Sequence, residues 1–341
     1  MNTQIDLVIP GLFNLPLEEF APEFLVSNLP ALNQLLSYSN TIPNEQTDFE
    51  SIIASSIGLT GRQTLPFAQA YVAGSGDMTA DEPQRHLLCR TIHLKADMHN
   101  ALVIPLESNS VNQDDSSLIL EDLQDFFSED CELKPLHNGL WLMRLKHCEP
   151  SDCYPHYLSV IGRKANQFIE QSKQALPWYK LMNEMQMFMH QHPVNQNRLT
   201  TGLLPINSLW FWGAGEKPKF DENKTAWFCD DEELIRFAEG SNIRRLPLDR
   251  LTQMKSGENS VVIDLSLLEA LKSSSGDDLQ AKLELLEKDI FKPAMTFFRS
   301  SRLSLQLRAA HHFDLTMTPF SKYKIWRSSK TLVSFGQLGM E

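Results

Sequence analysis

The residues whose types and spacing can do chemistry are concentrated between positions 190 and 218, in HQHPVNQNRLTTGLLPINSLWFWGAGEKP. His192, Asn195 and Arg198 recur at every third position; Asn207 opens the apolar run SLWFW; Gly213, Ala214, Gly215 and Lys217 follow it. A guanidinium and an ammonium can hold an anion, and amide side chains can orient it. Glycines let a backbone approach a ligand closely. Ligands of open α/β sheets bind at the carboxyl ends of strands. The pattern therefore fits a pocket for a small anionic ligand, lined by His192, Asn195, Arg198, Asn207, Gly213, Gly215 and Lys217. It fits equally a tight strand-to-loop turn in which Asn195 and Asn207 bind backbone groups, as short polar side chains readily do.

Other clusters carry less. His147, Cys148, Cys153 and His156 have the donor types of zinc, but the adjacent His147 and Cys148 converge poorly on one tetrahedral ion. His311 and His312 point to opposite faces of an extended segment, so at most one joins Asp314. The chain has no Gly-x-Ser-x-Gly elbow and no Walker loop. Neither a metal nor a cofactor is expected. Five scattered cysteines fit reduced thiols in a cytoplasmic protein.

The elements that must position these residues can be read from periodicity. Residues 5–9, 208–212 and 261–265 are apolar on both faces, as in a parallel sheet covered by helices, and are expected as neighbours. Leu303, Leu305 and Leu307 alternate with polar residues as a half-exposed strand. Trp178, Leu181, Met182, Met185 and Met189 form the apolar stripe of a helix that Pro193 ends. A hairpin joins residues 92–96 to 102–106, a helix covers 118–127, and a strand covers 140–145. The expected fold is α/β, a mostly parallel sheet flanked by helices, with a smaller α+β lobe. The expected boundaries are 1–72 with 151–341 for the core and 73–150 for the inserted lobe.

The chain has 341 residues and a net charge of −12. That balance argues against a nucleic-acid or anionic-membrane binder, whose surface must be basic. The sequence contains no apolar run long enough to span a bilayer, and its first residues do not read as a secretory signal.

The stretch from Asn183-Glu184 through His192-Pro193-Val194-Asn195 to Pro205-Ile206-Asn207 and Trp210-Phe211-Trp212-Gly213-Ala214-Gly215 resembles the signature of bacterial RpfE-type regulatory proteins. The opening DLVIPGL at 6–12 and IHLKAD at 92–97 agree with it. More distantly, the chain is similar to archaeal-type cofactor-independent phosphoglycerate mutases of the alkaline phosphatase superfamily. In that family a dinuclear metal centre supports phosphoryl transfer through a serine. The resemblance implies an alkaline-phosphatase-like core, but the ligand positions depart from it. Pro10-Gly11 stands for Asp-Gly, Ala270 and Ser274 fall at an Asp and a His, Leu315 and Thr316 fall at Asp-His, and the zone of a later His holds Trp326-Arg327. Such side chains cannot ligate two divalent ions. The resemblance thus implies a non-catalytic, mutase-like regulatory protein binding a small anionic ligand or a protein partner. The alternative is a metal-dependent mutase or phosphotransferase with an atypical site.

Overall fold

The computed structural model describes residues 3–56, 59, 64–75, 85–97, 100–106, 113–136, 139–148, 154–168, 173, 176–216, 225–254, 258–272, 276–300, 303–323 and 328–336. The chain opens with β1 (Thr3–Val8), α1 (Pro22–Ser27), α2 (Pro30–Tyr38), β2 (Asn40–Pro43) and α3 (Phe49–Ser56). There follow α4 (Phe67–Ser75), β3 (His86–Asp97), β4 (Asn100–Pro105), α5 (Gln113–Phe126), β5 (Cys131–Pro135) and β6 (Leu140–Leu145). Next come α6 (Tyr157–Val160), α7 (Leu176–His190), α8 (Pro193–Thr200) and β7 (Ser208–Trp212). The last third holds β8 (Thr225–Phe228), α9 (Glu232–Gly240), β9 (Arg245–Leu246), β10 (Asn259–Ile263), α10 (Ser266–Lys272), α11 (Gly276–Leu286), α12 (Lys292–Ser300), β11 (Leu303–Arg308), β12 (Phe313–Met317) and α13 (Val333–Gly336).

The chain forms two compact units, Met1–Thr60 with Lys219–Glu341, and Gly61–Pro218. The second unit spans the expected lobe at 73–150 together with residues 61–72 and 151–218.

In the first unit a seven-stranded sheet has the order β2-β12-β11-β1-β10-β8-β9. The five strands from β11 to β9 are parallel, and β12 and β2 add an antiparallel edge. Alternation sorts the side chains. Ile5, Leu7, Leu305, Leu307, Leu315 and Val262 point into one core, which the apolar stripes of α2, α11 and α12 complete. Between α11 and α12 the chain winds as a π-helix over Glu287–Phe291. This turns the buried Glu287 carboxylate onto the amides of Ala31 and Leu32, at 2.8 and 3.0 Å. The start of α2 has no side-chain cap of its own, so Glu287 satisfies its orphan N–H groups from a distant segment.

The second unit is built on an antiparallel sheet, β4-β3-β6-β5, with β7 paired to β3. The expected hairpin is β3–β4, in which Asp97 faces Asn100. The main correction concerns 208–212. It pairs antiparallel with β3, Leu88 opposite Trp212 and Ile92 opposite Ser208, and is not a neighbour of β1. Two-sided burial misled because it reports covering on both faces, not strand direction. Trp178 of α7 packs edge-on against Phe211, while Tyr157 of α6 stacks on Trp212. Pro193 also does more than end a helix. It is the first residue of α8, with His192 as N-cap.

Candidate functional site

The signature motif lies wholly in the second unit, and its polar side chains are spent on tying segments together. Asn195 donates to the carbonyls of Met189 and Ile206 at 2.7 and 2.8 Å, and its Oδ1 accepts from the Ile206 amide at 2.7 Å. One amide thus anchors the end of α7 and the entry to β7 to α8. Asn207 closes a similar two-way bond with Leu94 of β3, accepting its N–H at 2.7 Å and donating to its carbonyl at 3.0 Å. His192 accepts the Val194 amide on Nδ1 and meets Asp122 of α5 through Nε2 at 2.9 Å. Arg198 is 1% exposed; its Nε donates to the Leu204 carbonyl at 2.9 Å and its Nη1 to Asp115 of α5 at 2.8 Å.

The glycines serve the same end. Gly213 has φ +76°, and a Cβ there would stand 3.1 Å from Phe67 Cβ and from the Ala68 amide. Its carbonyl accepts that amide at 3.0 Å, which docks α4 on the end of β7. Gly215 has φ +125°. Lys217 lies outside the described residues. The open anion pocket read from the sequence is therefore not what His192, Asn195 and Arg198 form, because all three are buried. Their acidic partners, Asp115 and Asp122, lie 83 and 70 residues away in sequence, so spacing gave no sign of them.

In the first unit the carboxyl ends of the parallel strands are where an α/β sheet would hold a ligand. β1 runs on through Ile9 and Pro10 to Gly11, whose φ is +88° and whose Cβ would collide with Leu271 of α10 at 2.6 Å. Asp264 follows β10, and its Oδ1 accepts from the Ser266 amide and hydroxyl at 2.9 and 2.6 Å, capping α10. Burial raises its pKa, against the pull of those two bonds. Asp230 follows β8; it pairs with Arg245 at 3.0 Å and accepts from the Leu248 amide at 3.3 Å. His311 sits between Phe13 and Phe313, with ring centroids 6.1 and 4.7 Å away. Burial, then the neighbouring His312, lower its pKa.

A polar seam runs beside this edge on the sheet face opposite the apolar core. Gln4 donates to Asp6 at 2.7 Å, and Gln306 donates to Asp314 at 2.9 Å. Asp314 also accepts from Arg308 at 3.2 Å and from Asn44 at 3.0 Å. Arg308 reaches on to Gln46 and Ser55 at 2.7 and 2.9 Å, fastening the segment before α3, and α3 itself, to the sheet. Asp6, Arg308 and Asp314 are each less than 9% exposed. Sequence reading missed this seam. Its signals were a carboxylate inside the apolar run IDLVI and the alternate polar positions of β11.

A dinuclear metal centre, as the mutase resemblance implies, does not fit these donors. Among the described residues, Asp264 is engaged at the start of α10, Asp230 by Arg245 and Asp314 by Arg308, and Pro10, Ala309 and Ala310 follow β1 and β11. Among the described residues no three His, Cys, Asp or Glu side chains stand close enough to share an ion. Of the cysteine–histidine cluster at 147–156, Cys153 lies outside the described residues. Cys89, Cys131 and Cys229 are buried, and burial pushes the latter two up to about 12, which disfavours the reactive thiolate at these positions.

No family model matches the chain. The 2,3-bisphosphoglycerate-independent phosphoglycerate mutase of Methanosarcina barkeri is 31% identical to it over 70 residues, 20% of this chain and 17% of that protein. The probable enzyme of the same name from Geobacter sulfurreducens is 31% identical over 83 residues, 24% of this chain and 20% of that protein. The matched segment thus spans a fifth or less of these relatives' length, and the homology is weak and partial. Among solved structures, the PH0037 protein of Pyrococcus horikoshii superposes with a TM-score of 0.50 at 13% identity, covering 93% of this chain and 87% of that one. The cofactor-independent phosphoglycerate mutase of Thermoplasma acidophilum gives 0.45 at 15% identity, covering 98% and 95%. The likeness to the Pyrococcus horikoshii protein is one of fold alone, and the fold of this chain is mixed α/β with a mostly parallel sheet in its first unit. No described helix is long and apolar enough to cross a membrane.

Proposed function

We propose that this chain is a phosphoglycerate-mutase-like protein of RpfE regulatory type that acts in the cytoplasm by binding and not by metal-dependent phosphoryl transfer. Its alkaline-phosphatase-like core keeps the parallel sheet and the glycine turn after β1 while the acidic edge has become structural. One observation carries the reading. Of the carboxylates at this edge, Asp264 accepts from the Ser266 amide and hydroxyl, Asp230 from Arg245 and the Leu248 amide, and Asp314 from Arg308. A carboxylate that satisfies backbone amides and a guanidinium is poorly disposed to surrender them to a hard cation, which needs several oxygen ligands at once.

The test uses the purified full chain, equilibrated with manganese, zinc or magnesium and then desalted. Metal content and turnover of phosphoglycerate and of p-nitrophenyl phosphate are measured with and without chelator. The expected result is no stoichiometric metal and no chelator-sensitive turnover. Chelator-sensitive turnover that survives repurification and is lost in Asp264→Asn would establish the mutase-type alternative.

A further inference from the structure

Helix α5 in the second unit is amphipathic in an unusual sense: its outward face is both acidic and apolar. Ser116, Ile119, Leu120 and Leu123 turn inward. On the other side, Leu118 is 50% exposed and Phe126 is 68% exposed. Positions four apart stack along a helix, so Leu118, Asp122 and Phe126 form one row, flanked by Glu121 and Asp125. The apolar surface continues onto α7, where Phe188 lies 5.1 Å from the Phe126 ring. Between 113 and 130 the sequence has seven acidic residues and no lysine or arginine. Asp115 and Asp122 are engaged by Arg198 and His192, whereas among the described residues Glu121 and Asp125 have no ion-pair partner.

Large apolar side chains grouped on a surface mark contact sites, and aromatic residues dominate the energetics of such contacts. The charge selects the occupant. An acidic rim repels phosphate backbones and anionic lipid headgroups and attracts lysine and arginine. The spacing selects its shape, since Leu118 and Phe126 stand two helical turns apart on one row with the Asp122 carboxylate between them, and an amphipathic helix laid along the row can offer apolar and basic residues at that spacing. We propose that the outward face of α5, with Phe188 of α7, docks a lysine- and arginine-rich amphipathic helix of a partner protein. No residue of the sheet edge takes part, so this inference stands or falls apart from the reading of that edge.

The probe is a fluorescein-labelled eighteen-residue Leu/Lys amphipathic peptide, with a Leu/Glu peptide of the same pattern as its counterpart. Binding to the full chain is followed by anisotropy. Because the whole protein is acidic, the variants must localise the effect. Glu121→Lys with Asp125→Lys, and separately Phe126→Ser, are each expected to weaken the Leu/Lys peptide by about tenfold, the scale of an interface hot spot. A control with the same charge change on exposed residues of the first unit, Glu18→Lys with Glu19→Lys, should stay within about twofold. The Leu/Glu peptide should not bind. Failure of the Leu/Lys peptide to bind overturns the proposal, as does equal weakening in the control. Indifference to Phe126→Ser also overturns it, since attraction is then charge alone. Self-association that disappears in Phe126→Ser, seen by sedimentation, would make the occupant a second copy and reject the partner. Circular dichroism and thermal melting of each variant establish that it is folded.

Discussion

The motif of the second unit and the seam of the first both bury polar side chains, but they spend them differently. Asn195 and Asn207 are neutral amides that face backbone N–H and C=O groups in both directions. Asp6, Arg308 and Asp314 are charged groups that face one another and other side chains. A neutral amide costs little to bury once its bonds are made, and it leaves no charge to solvate. A buried ion pair carries a desolvation cost that its attraction only partly returns. The amide bonds of Asn195 and Asn207 should therefore give stability that does not depend on pH, and the seam should be a marginal contributor whose balance moves with pH.

Asn195→Ala removes three hydrogen bonds at once and takes the Asn195 partner from the buried Ile206 amide and carbonyl, while the Met189 carbonyl keeps the His192 amide at 3.1 Å. Unsatisfied buried groups cost about 1–3 kcal/mol each, so a total of about 4 kcal/mol is expected. Urea unfolding monitored at the tryptophans of β7 should show it, together with faster amide exchange in α8. A loss below about 1 kcal/mol would mean that water reaches the site, and the motif would then be open enough to hold a ligand.

Arg198→Met tests the buried guanidinium of the motif. Its Nη1 pairs with Asp115, whose side chain is 20% exposed, while Arg198 itself is 1% exposed. Removing one partner of a buried pair costs about 3 kcal/mol or more. Asp115→Asn should cost less, because its partially wetted position can still offer a carbonyl oxygen. A folded Arg198→Met variant of unchanged stability that has lost affinity for a small anion would return Arg198 to a binding role.

How much of this was legible in the sequence depended on the distance over which each residue acts. Local periodicity located β1, β10, β11, α5, α7 and the β3–β4 hairpin, because the alternation of Leu303, Leu305 and Leu307 and the stripe through Trp178 and Met185 are set by burial of one face. The partner of β7 was not legible. Leu209, Trp210, Phe211 and Trp212 are buried on both faces whichever strand lies beside them, and β3 is more than a hundred residues earlier. For the site, residue types were identified and roles were not. Asn195 and Arg198 look alike as ligand donors or as staples until Met189, Leu204 and Asp115 are seen around them. The seam was missed for the same reason, since Asp6 and Asp314 acquire a common environment only when β1, β11 and β12 assemble.

Gly213→Ala should cost about 2 kcal/mol. A non-glycine residue held at positive φ costs of order 1–3 kcal/mol, and the added Cβ would press on the Phe67 Cβ and the Ala68 amide at 3.1 Å. The expected signature is a lower melting temperature with weakened protection of the Ala68 amide, which donates to the Gly213 carbonyl. Gly202→Ala is the matched control, since that residue has φ +78° with no atom within 4 Å of where a Cβ would stand, and so reports the backbone cost alone. A smaller loss at 213 than at 202 would show that α4 is not held at the end of β7 by close approach.

Asp6→Asn has the smallest expected effect and the most informative sign. Burial holds the Asp6 carboxyl above its ordinary value of 3.8; the Gln4 bond and the Arg308 charge pull it back, and the Asp314 charge pushes it further up. A carboxyl whose folded-state value is raised binds its proton more tightly when folded. Its stabilising contribution is complete below the unfolded value and is lost as pH rises through the folded one. At neutral pH the ionised Asp6 therefore costs stability. A neutral amide in its place would not, and the amide oxygen could still accept from Gln4. The variant should be more stable than the parent at pH 7, with the advantage shrinking as pH falls toward 4. The difference in urea midpoint across that range is the measurement. An advantage that grows on acidification, or a loss at pH 7, would mean that attraction to Arg308 outweighs desolvation at this position. The seam would then be a net source of stability, and the contrast with the motif would be one of residue type only.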